Sequence, residues 1–244
     1  MKKVLILMLC AAFAALSLSG CVSVSFTGFS TVVGSGQPER YEFNVGEITE
    51  VRIMLHCDID YYSALSDTVT LEIHPNLREY VIVEESGGVL TVRSTRNFSW
   101  SGTTPVLTIG APSLRIVSLS GAGRFTAHDR ITADSFSFDL SGAGRGKAEL
   151  DVGNLLVNLS GAGDLEITGS ADTADLTLAG AGNLDALSLQ TREASISLAG
   201  AGVVSISCSE RLVISASGVG SVQYRGSPTV DLSRGGFVNV RQVN

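Results

Sequence analysis

The stretch Leu159-Ser160-Gly161-Ala162-Gly163 recurs through the second half of the chain, with its flanking residues in the same phase. The copies read LSGAG, LAGAG and ASGVG, and a degenerate LSRGG copy ends the series. They lie at Leu119–Gly123, Leu140–Gly144, Leu159–Gly163, Leu178–Gly182, Leu198–Gly202, Ala216–Gly220 and Leu232–Gly236. A period of about 20 residues predicts a solenoid, in which each unit stacks on its neighbours.

Apolar residues flank each copy at a spacing of two. Before the third copy they are Leu155, Val157 and Leu159, and after it they are Leu165 and Ile167. This period is typical of strands with one buried face and one solvated face. A Gly-x-Gly between two such strands predicts a corner, because glycine accepts a positive φ or a close backbone neighbour without steric cost. The predicted corner glycines are Gly121, Gly123, Gly142, Gly144, Gly161, Gly163, Gly180, Gly182, Gly200, Gly202, Gly218 and Gly220.

Each unit is therefore predicted to contain a strand, a glycine corner, a second strand and a return loop. About 20 residues leave no room for a crossover helix, so the units must coil into rungs about 4.8 Å apart. This predicts an all-β fold, a parallel β-helix whose seven rungs span roughly 30 Å. The alternative is a pile of antiparallel hairpins, which is disfavoured because the return stretches lack a steady two-residue turn signal.

The first residues have the pattern of a signal peptide. Met1-Lys2-Lys3 is basic, residues 4–16 are almost wholly apolar, and Leu18-Ser19-Gly20-Cys21 resembles the bacterial lipoprotein box. We predict a lipoprotein signal peptide over 1–20, a lipid on Cys21, a tether over 21–30 and one domain over 31–244. A plain secretory signal cut nearby is the alternative. The apolar run is too short for a membrane span, so the expected product is lipid-anchored in the cell envelope, periplasmic or surface-exposed.

The charge balance disfavours one class of partner. The formal charge is −7, and removal of Lys2 and Lys3 with the signal peptide takes it to −9. An acidic chain without a basic stripe is a poor candidate for binding nucleic acid. The expected partners are the membrane, through the lipid, and an envelope glycan or protein.

The segment from Glu42 to Ser118 is β-rich without an obvious repeat, and the repeats begin at about residue 112. We expect this segment to start the same stack and to cap it, because an open β-helix end leaves a row of unpaired backbone groups. Gly34-Ser35-Gly36 is interpreted as an early, isolated copy of the corner.

The chain resembles a known family, the bacterial head GIN domain family, described as auto-transporter adhesins. The matching features are the serial Ser-Gly-x-Gly corners, the approach Pro112-Ser113-Leu114 and the closing Tyr224-x-Gly226-x-Pro228. The resemblance covers roughly residues 32–240. It implies a right-handed β-helical fold on a cell-envelope protein, and it brings no established chemistry or site residues. The chain departs from the family in its alanines inside the corner and in Arg234-Gly235-Gly236.

Neither a metal nor a cofactor is predicted. Calcium-binding β-roll arrays carry an acidic residue at a fixed place in each nine-residue unit. Here the residue after the corner varies, and the period is about twice as long. The three histidines are scattered, and no cysteine pair has ligand spacing. The residues after the successive corners are Arg124, Arg145, Asp164, Asn183, Val203 and Ser221.

Two groups of residues suggest contacts with a ligand. The first group is a set of charged residues that are expected to share an outward face, one or two rungs apart: Asp164, Glu166, Asp185, Arg124, Arg145 and Lys147. A polysaccharide-cleaving enzyme would require several carboxylates beside an arginine or lysine on one face, and here Arg145 is the candidate cation. The favoured interpretation is a solvated sheet face whose alternating charges keep it soluble. Phe98 and Trp100 are predicted on a polar loop, where an aromatic ring can stack on a sugar or anchor a protein. The favoured interpretation is that they cap one end of the core.

Cys57 and Cys208 remain after the signal peptide and the lipidated residue are set aside. Each is in phase with apolar neighbours, so each is predicted to be a small buried residue. Their rungs are expected to be too far apart for a disulfide. A disulfide remains the alternative, because the compartment is oxidising.

Together these patterns favour a lipid-anchored envelope β-helix that acts as a non-catalytic scaffold for binding or adhesion. A carbohydrate-active enzyme on the same scaffold is one alternative, and a purely structural envelope protein is another. An enzyme requires convergent carboxylates in a cleft, whereas a binder requires an aromatic or polar patch.

Overall fold

The computed structural model of the chain describes residues 30–95 and 98–244. The predicted signal peptide, Cys21 and the tether as far as residue 29 lie outside these residues. Within them the chain is all-β, with one short 3-10 helix at Pro75–Tyr80. The strands are β1 (Ser30–Val33), β2 (Glu39–Phe43), β3 (Glu50–Met54), β4 (Asp58–Tyr62), β5 (Thr68–Ile73), β6 (Val81–Ser86), β7 (Val89–Ser94), β8 (Phe98–Ser101), β9 (Val106–Gly110), β10 (Ile116–Leu119), β11 (Ala122–Ala127), β12 (Ile131–Leu140), β13 (Ala143–Leu159), β14 (Ala162–Leu178), β15 (Ala181–Leu198), β16 (Ala201–Ala216), β17 (Val219–Arg225), β18 (Thr229–Arg234) and β19 (Phe237–Gln242).

The strands stack in two parallel columns joined by the glycine corners. The column before the corners runs β7–β3–β10–β12–β13–β14–β15–β16–β18. The column after them runs β9–β4–β11–β13–β14–β15–β16–β17–β19. The repeats form a β-solenoid of about seven turns with rungs of about 19 residues, and the rungs of β3 with β4 and of β7 with β9 extend the stack at its N-terminal end. The predicted parallel β-helix is confirmed, and the pile of antiparallel hairpins is wrong for the repeats.

The return between rungs is a strand, so the predicted return loop is wrong. In β14 the pairing with β13 continues from Asp164 to Leu178, with one residue unpaired at Asp172. The physical reason is that each rung offers backbone partners all the way round to the next one, and buried backbone groups must be paired. Each of the strands β13 to β16 therefore runs almost from one corner to the next.

The core consists of like positions stacked on one another. Val117, Phe138 and Val157 are in register on successive rungs and are fully buried. The ring of Phe125 packs edge-on against Phe138, with centroids 5.5 Å apart. Gly146 makes room for this pair, since a Cβ added there would lie 2.8 Å from the Phe138 ring. Burial of these apolar columns is the main source of stability, because a single rung cannot bury its own inner face.

The N-terminal segment starts the stack and caps it, as predicted. The rung made by β3 and β4 lies between the rung made by β7 and β9 and the first repeat, which contains β10 and β11. Beyond that end, β6 pairs antiparallel with β7, β5 with β9, and β2 with β5. These antiparallel strands cover the backbone edges of the first rung.

Gly34-Ser35-Gly36 is not a copy of the corner. A Cβ added to Gly34 would overlap the ring of His74, whereas the corner glycine Gly121 faces the backbone of Leu55. His74 is nearly buried, and its Nδ1 lies 2.9 Å from the carbonyl oxygen of Gly36. This glycine pair precedes β2, which belongs to the cap, so it has no rung beneath it on which to stack.

Candidate binding site

The twelve predicted corner glycines form a column along one edge of the solenoid. A Cβ added to any of them would overlap a backbone carbonyl of the neighbouring rung, which for Gly161 is that of Gly142. The sequence prediction allowed either a positive φ or a close backbone neighbour. The close neighbour is present at all twelve glycines, whereas Gly123 and Gly220 also have a positive φ, of 142° and 152°. Steric exclusion of side chains therefore accounts for the repeat, and this edge offers few functional groups.

The predicted carboxylates do share an outward face, on the strand that follows each corner. Arg145 Nε lies 3.7 Å from Asp164 Oδ2, and Lys147 Nζ lies 3.0 Å from Glu166 Oε1. Asp185 is in register with Glu166 on the next rung. The side chains of Asp164 and Glu166 are 52% and 51% exposed. A carboxylic acid that acts as a general acid is usually held in an apolar pocket, whereas these carboxylates are solvated and paired between rungs.

A shallow groove extends this face towards the N-terminal cap. It has a volume of about 460 Å³ and is lined by His56, Asp58, Arg124 and Arg145 among others. Asp58 accepts a hydrogen bond from the backbone N–H of Arg124 at 2.9 Å, and the guanidinium of Arg124 lies 3.8 Å from it. Contacts between rungs therefore already engage the charged groups of this groove.

Trp100 lies beside this groove, on β8, which pairs with β1 in a small parallel sheet. The loop predicted here is therefore wrong. Trp100 is partly buried against the core, and its ring stacks on His56 with centroids 6.5 Å apart. This packing agrees with the favoured interpretation that Trp100 caps the core, and a ligand contact at Trp100 stays a prediction. The side chain of Phe98 lies outside the described part of the molecule.

A larger cleft lies on the return side of the solenoid. Its volume is about 910 Å³, and residues from six successive turns, from Thr132 to Gly226, line it. One outward position is polar on every turn and is in strict register. The side chains in this polar ladder are Thr132, Asp151, Ser170, Gln190, Ser207 and Arg225. A second outward position beside the ladder supplies Asp172 and Arg192.

A change in rung length forms one wall of this cleft. Ala186 of β15 pairs with Ile206 of β16, and the next pair joins Gln190 to Ser207. The three residues between Ala186 and Gln190 therefore have no partner on β16. Two of them, Leu187 and Ser188, line the cleft, while Leu189 is fully buried. Beyond β15 the shorter rungs leave the recess open.

The polar side chains of the cleft are only partly used by the fold. Ser170 Oγ donates to Asp151 Oδ1 at 2.9 Å, and Thr191 Oγ1 donates to the carbonyl oxygen of Ser207 at 2.8 Å. Asp172 and Gln190 make no side-chain hydrogen bond to any residue of 30–95 or 98–244. The cleft therefore retains both a free acceptor and a free amide on neighbouring rungs.

An ion pair on the rim modifies the electrostatics of the cleft. Arg192 Nε donates to Glu210 Oε1 at 2.9 Å. This hydrogen bond lowers the pKa of Glu210 and raises the pKa of Arg192, because it favours the charged form of both groups. The side chains of the pair are 62% and 51% exposed, so solvent screens the interaction.

Cys57 and Cys208 are both buried, as predicted, and they are free in the described part of the chain. Burial raises the pKa of Cys57 to about 12. Cys208 lies beneath the cleft, with Sγ 3.2 Å from the carbonyl oxygen of Arg192. Each thiol occupies the place of a small apolar side chain.

Neither a metal site nor a membrane-spanning helix is found in the described ranges. No group of three or more His, Cys, Asp or Glu side chains there is arranged to hold a metal ion. No helix among the same residues is long and apolar enough to cross a membrane.

These features define an all-β solenoid with a polar cleft on its return side. Residues 47–228 match the family described as "Putative auto-transporter adhesin, head GIN domain". The chain belongs to this family, as the corner series and its ending predict. No curated protein matches the chain.

Solved structures of low sequence identity share the fold. A "putative adhesin" from Bacteroides fragilis has a TM-score of 0.83 and 23% identity, with 87% of this chain and 100% of that chain covered. A "putative lipid binding protein" from Parabacteroides distasonis has a TM-score of 0.70 and 20% identity, with 88% and 100% covered. A "putative adhesin" from Parabacteroides merdae has a TM-score of 0.67 and 20% identity, with 88% and 99% covered.

The return-side cleft was missed by the sequence analysis. Its polar residues lie between the strands flanking the corners, in the part interpreted as a loop. The spacing of the repeat copies did indicate a change in rung length. The distance from one copy to the next is 20 residues after Ala179 and 18 residues after Ala199. A rung that is longer than the next one must project beyond it.

Proposed function

We propose that this protein is a non-catalytic binding scaffold of the cell envelope, which presents the return-side cleft to an envelope glycan or protein. The observation that carries the proposal is the cleft itself. The strand pairing holds its polar ladder in register, and some of the cleft's polar side chains make no hydrogen bond within the fold. A solenoid suits this role, because the backbone ladder fixes the spacing of those side chains before a ligand arrives.

Two further observations support binding over turnover. The family is described as an adhesin family, so binding is the expected kind of activity. The carboxylates Asp164 and Glu166 are solvated and paired with cations, unlike the desolvated acid that glycoside hydrolysis requires.

The proposal includes a lipid anchor on Cys21. It is supported by the basic start, the apolar run and Leu18-Ser19-Gly20-Cys21. Mass spectrometry of the N-terminal peptide from membrane fractions tests it. A diacylglycerol-modified Cys21 is expected, and the variant Cys21→Ser should leave the membrane fraction. An unmodified peptide that begins elsewhere would contradict the anchor.

The binding proposal is tested with the full chain purified in detergent. Saturable binding to an isolated envelope glycan, or to a purified envelope protein, is the expected result. In the same samples, new reducing ends or unsaturated products report turnover. Products that disappear in Glu166→Gln or Asp172→Asn would favour the carbohydrate-active enzyme instead. The absence of any binding would favour a purely structural role.

A further inference from the structure

We propose that the return-side cleft binds a neutral oligosaccharide chain, which lies along the solenoid axis over the polar ladder. This inference rests on the proposed binding function and adds the ligand class and the site. It concerns the cleft, and the Trp100 region has no part in it.

The geometry of the ladder fits a repeating ligand. Thr132, Asp151, Ser170, Gln190, Ser207 and Arg225 present one hydrogen-bonding side chain per rung. Strands in a ladder are about 4.8 Å apart, so six rungs span about 24 Å. The sugar units of an extended glycan repeat at a similar distance. Each sugar ring can therefore meet a polar side chain of its own rung, although the guanidinium of Arg225 also reaches back to the carbonyl oxygen of Leu187.

The charges in the cleft favour a neutral ligand. The charged side chains that line it are two carboxylates, Asp151 and Asp172, and two guanidiniums, Arg192 and Arg225. A polyanion would meet Asp151 and Asp172, and a polycation would meet the two arginines. Sugar hydroxyls both donate and accept, so they can use both kinds of group.

The rest of the lining fits sugar rings better than a peptide. Leu187 is half-buried beside the ladder, where the C–H face of a sugar can pack against it, and the buried side chains of Val152 and Ala171 lie in the floor of the cleft. An extended peptide usually binds by adding a strand to an open sheet edge. The backbone beneath the cleft is paired between rungs except at residues 187–189 and 192 of β15, so it offers only short stretches of open edge.

Two of the unused hydrogen-bonding side chains lie near the middle of the ladder. Asp172 and Gln190 have side chains that no residue of the described ranges engages through a hydrogen bond, and they lie on the adjacent rungs β14 and β15. We expect Gln190→Ala and Asp172→Ala each to weaken binding about tenfold, because each removes a hydrogen bond whose partner is then left desolvated.

The test is calorimetric titration of the full chain in detergent with cellohexaose, xylohexaose, mannohexaose and laminarihexaose. Hexagalacturonate and an unrelated acidic peptide serve as comparators. Asn183→Ala is the matched control for Gln190→Ala, since both remove an exposed amide from β15 but Asn183 is on the corner side, where it donates to Asp164. Thermal melting of each variant checks that it folds.

Each outcome decides between the two proposals. Binding of a neutral hexasaccharide that weakens in the cleft variants, and persists in Asn183→Ala, supports the inference. Binding that survives both cleft variants but is lost in Asn183→Ala or Trp100→Ala overturns the cleft site and leaves the binding function standing. Binding of hexagalacturonate, the peptide or a purified envelope protein alone overturns the ligand class. A chain that binds none of these overturns both proposals.

Discussion

The corner column and the return side are built on the same backbone ladder, yet their side chains differ in kind. At the corners Gly161 and its equivalents repeat, because a Cβ would overlap the carbonyl of the adjacent rung. On the return side the equivalent position is Thr132, Asp151, Ser170, Gln190, Ser207 or Arg225, and the rungs differ in length. One side is constrained by sterics and the other is open to variation.

This difference teaches where recognition is most easily placed on a solenoid. Stacking fixes the backbone at both sides, but it constrains side chains only where rungs approach too closely for a Cβ. The return side therefore keeps the rigidity of the ladder and gains freedom in side-chain chemistry and in rung length. The insertion at Leu187 and Ser188 shows that this freedom extends to the shape of the surface.

The largest expected effect concerns the two buried thiols, one on each side. In the native chain we expect Cys57 and Cys208 to react with a thiol reagent about a thousandfold or more slowly than in the unfolded chain, because labelling requires opening of the core. The raised pKa of Cys57, about 12, further suppresses its thiolate. Peptide mapping by mass spectrometry follows each site. Fast labelling of Cys208 with Cys57 protected would show that the return side opens by itself.

A substitution in the corner column should have the next largest effect. Gly161→Ala is expected to lower the free energy of unfolding by roughly 3 kcal/mol, since the new Cβ forces the rungs apart. Gly235→Ala is the matched control. An added Cβ there meets no atom within 4 Å, so a change within about 0.5 kcal/mol is expected. Equal midpoints in denaturant for the two variants would contradict the steric account of the repeat.

An ion pair on the corner side should matter much less. Lys147→Ala removes a pair with Glu166 whose side chains are 61% and 51% exposed. The expected loss is below about 1 kcal/mol, because solvent screens exposed pairs. Denaturant unfolding measures it, and Lys147→Arg is expected to restore the wild-type value. A loss of several kcal/mol would contradict this, because it would mean that the ion pair contributes more to the free energy of unfolding than an exposed pair should.

The smallest expected effect is a pH dependence at the cleft rim. Because Arg192 lowers the pKa of Glu210 in the folded chain, the pair stabilises the fold above the ordinary carboxyl range. This contribution is lost as the pH falls through the lowered pKa of Glu210. Melting temperatures between about pH 3 and pH 7 should therefore fall slightly less on acidification in Glu210→Gln than in the wild type. A steeper fall in the variant would contradict the sign.

The fold was largely predictable because its signal is local and repeated. Period-two strands around Ser160-Gly161-Ala162-Gly163 determine both the strand faces and the spacing of the rungs. The need for a cap was predictable, because an open β-helix end leaves unpaired backbone groups. The antiparallel pairing of β2, β5 and β6 in that cap was not predictable, because it depends on contacts between segments distant in sequence. Gly34 illustrates the limit, because a glycine pair beside His74 has the same local letters as a corner.

The candidate site was predictable only in part. The pairing of Arg145 with Asp164 and of Lys147 with Glu166 follows from the repeat, because like positions stack. The cleft depends on how a long rung packs against a shorter one, and the sequence around Leu187 does not indicate that packing. Trp100 was placed on a loop because its neighbours are polar, yet it belongs to β8, whose partner β1 precedes it by about 70 residues.

The central claim is that the corner column folds the protein and the return side binds its ligand. The most direct measurement is a map of backbone amide resonances in the isotope-labelled full chain as a neutral hexasaccharide is added. The account predicts shifts confined to the cleft, at residues 132, 151–153, 170–172, 187–192, 207–209 and 225–226, with the corner residues 160–163 unchanged. Shifts centred on the corners or on Trp100, with the return side silent, would contradict it.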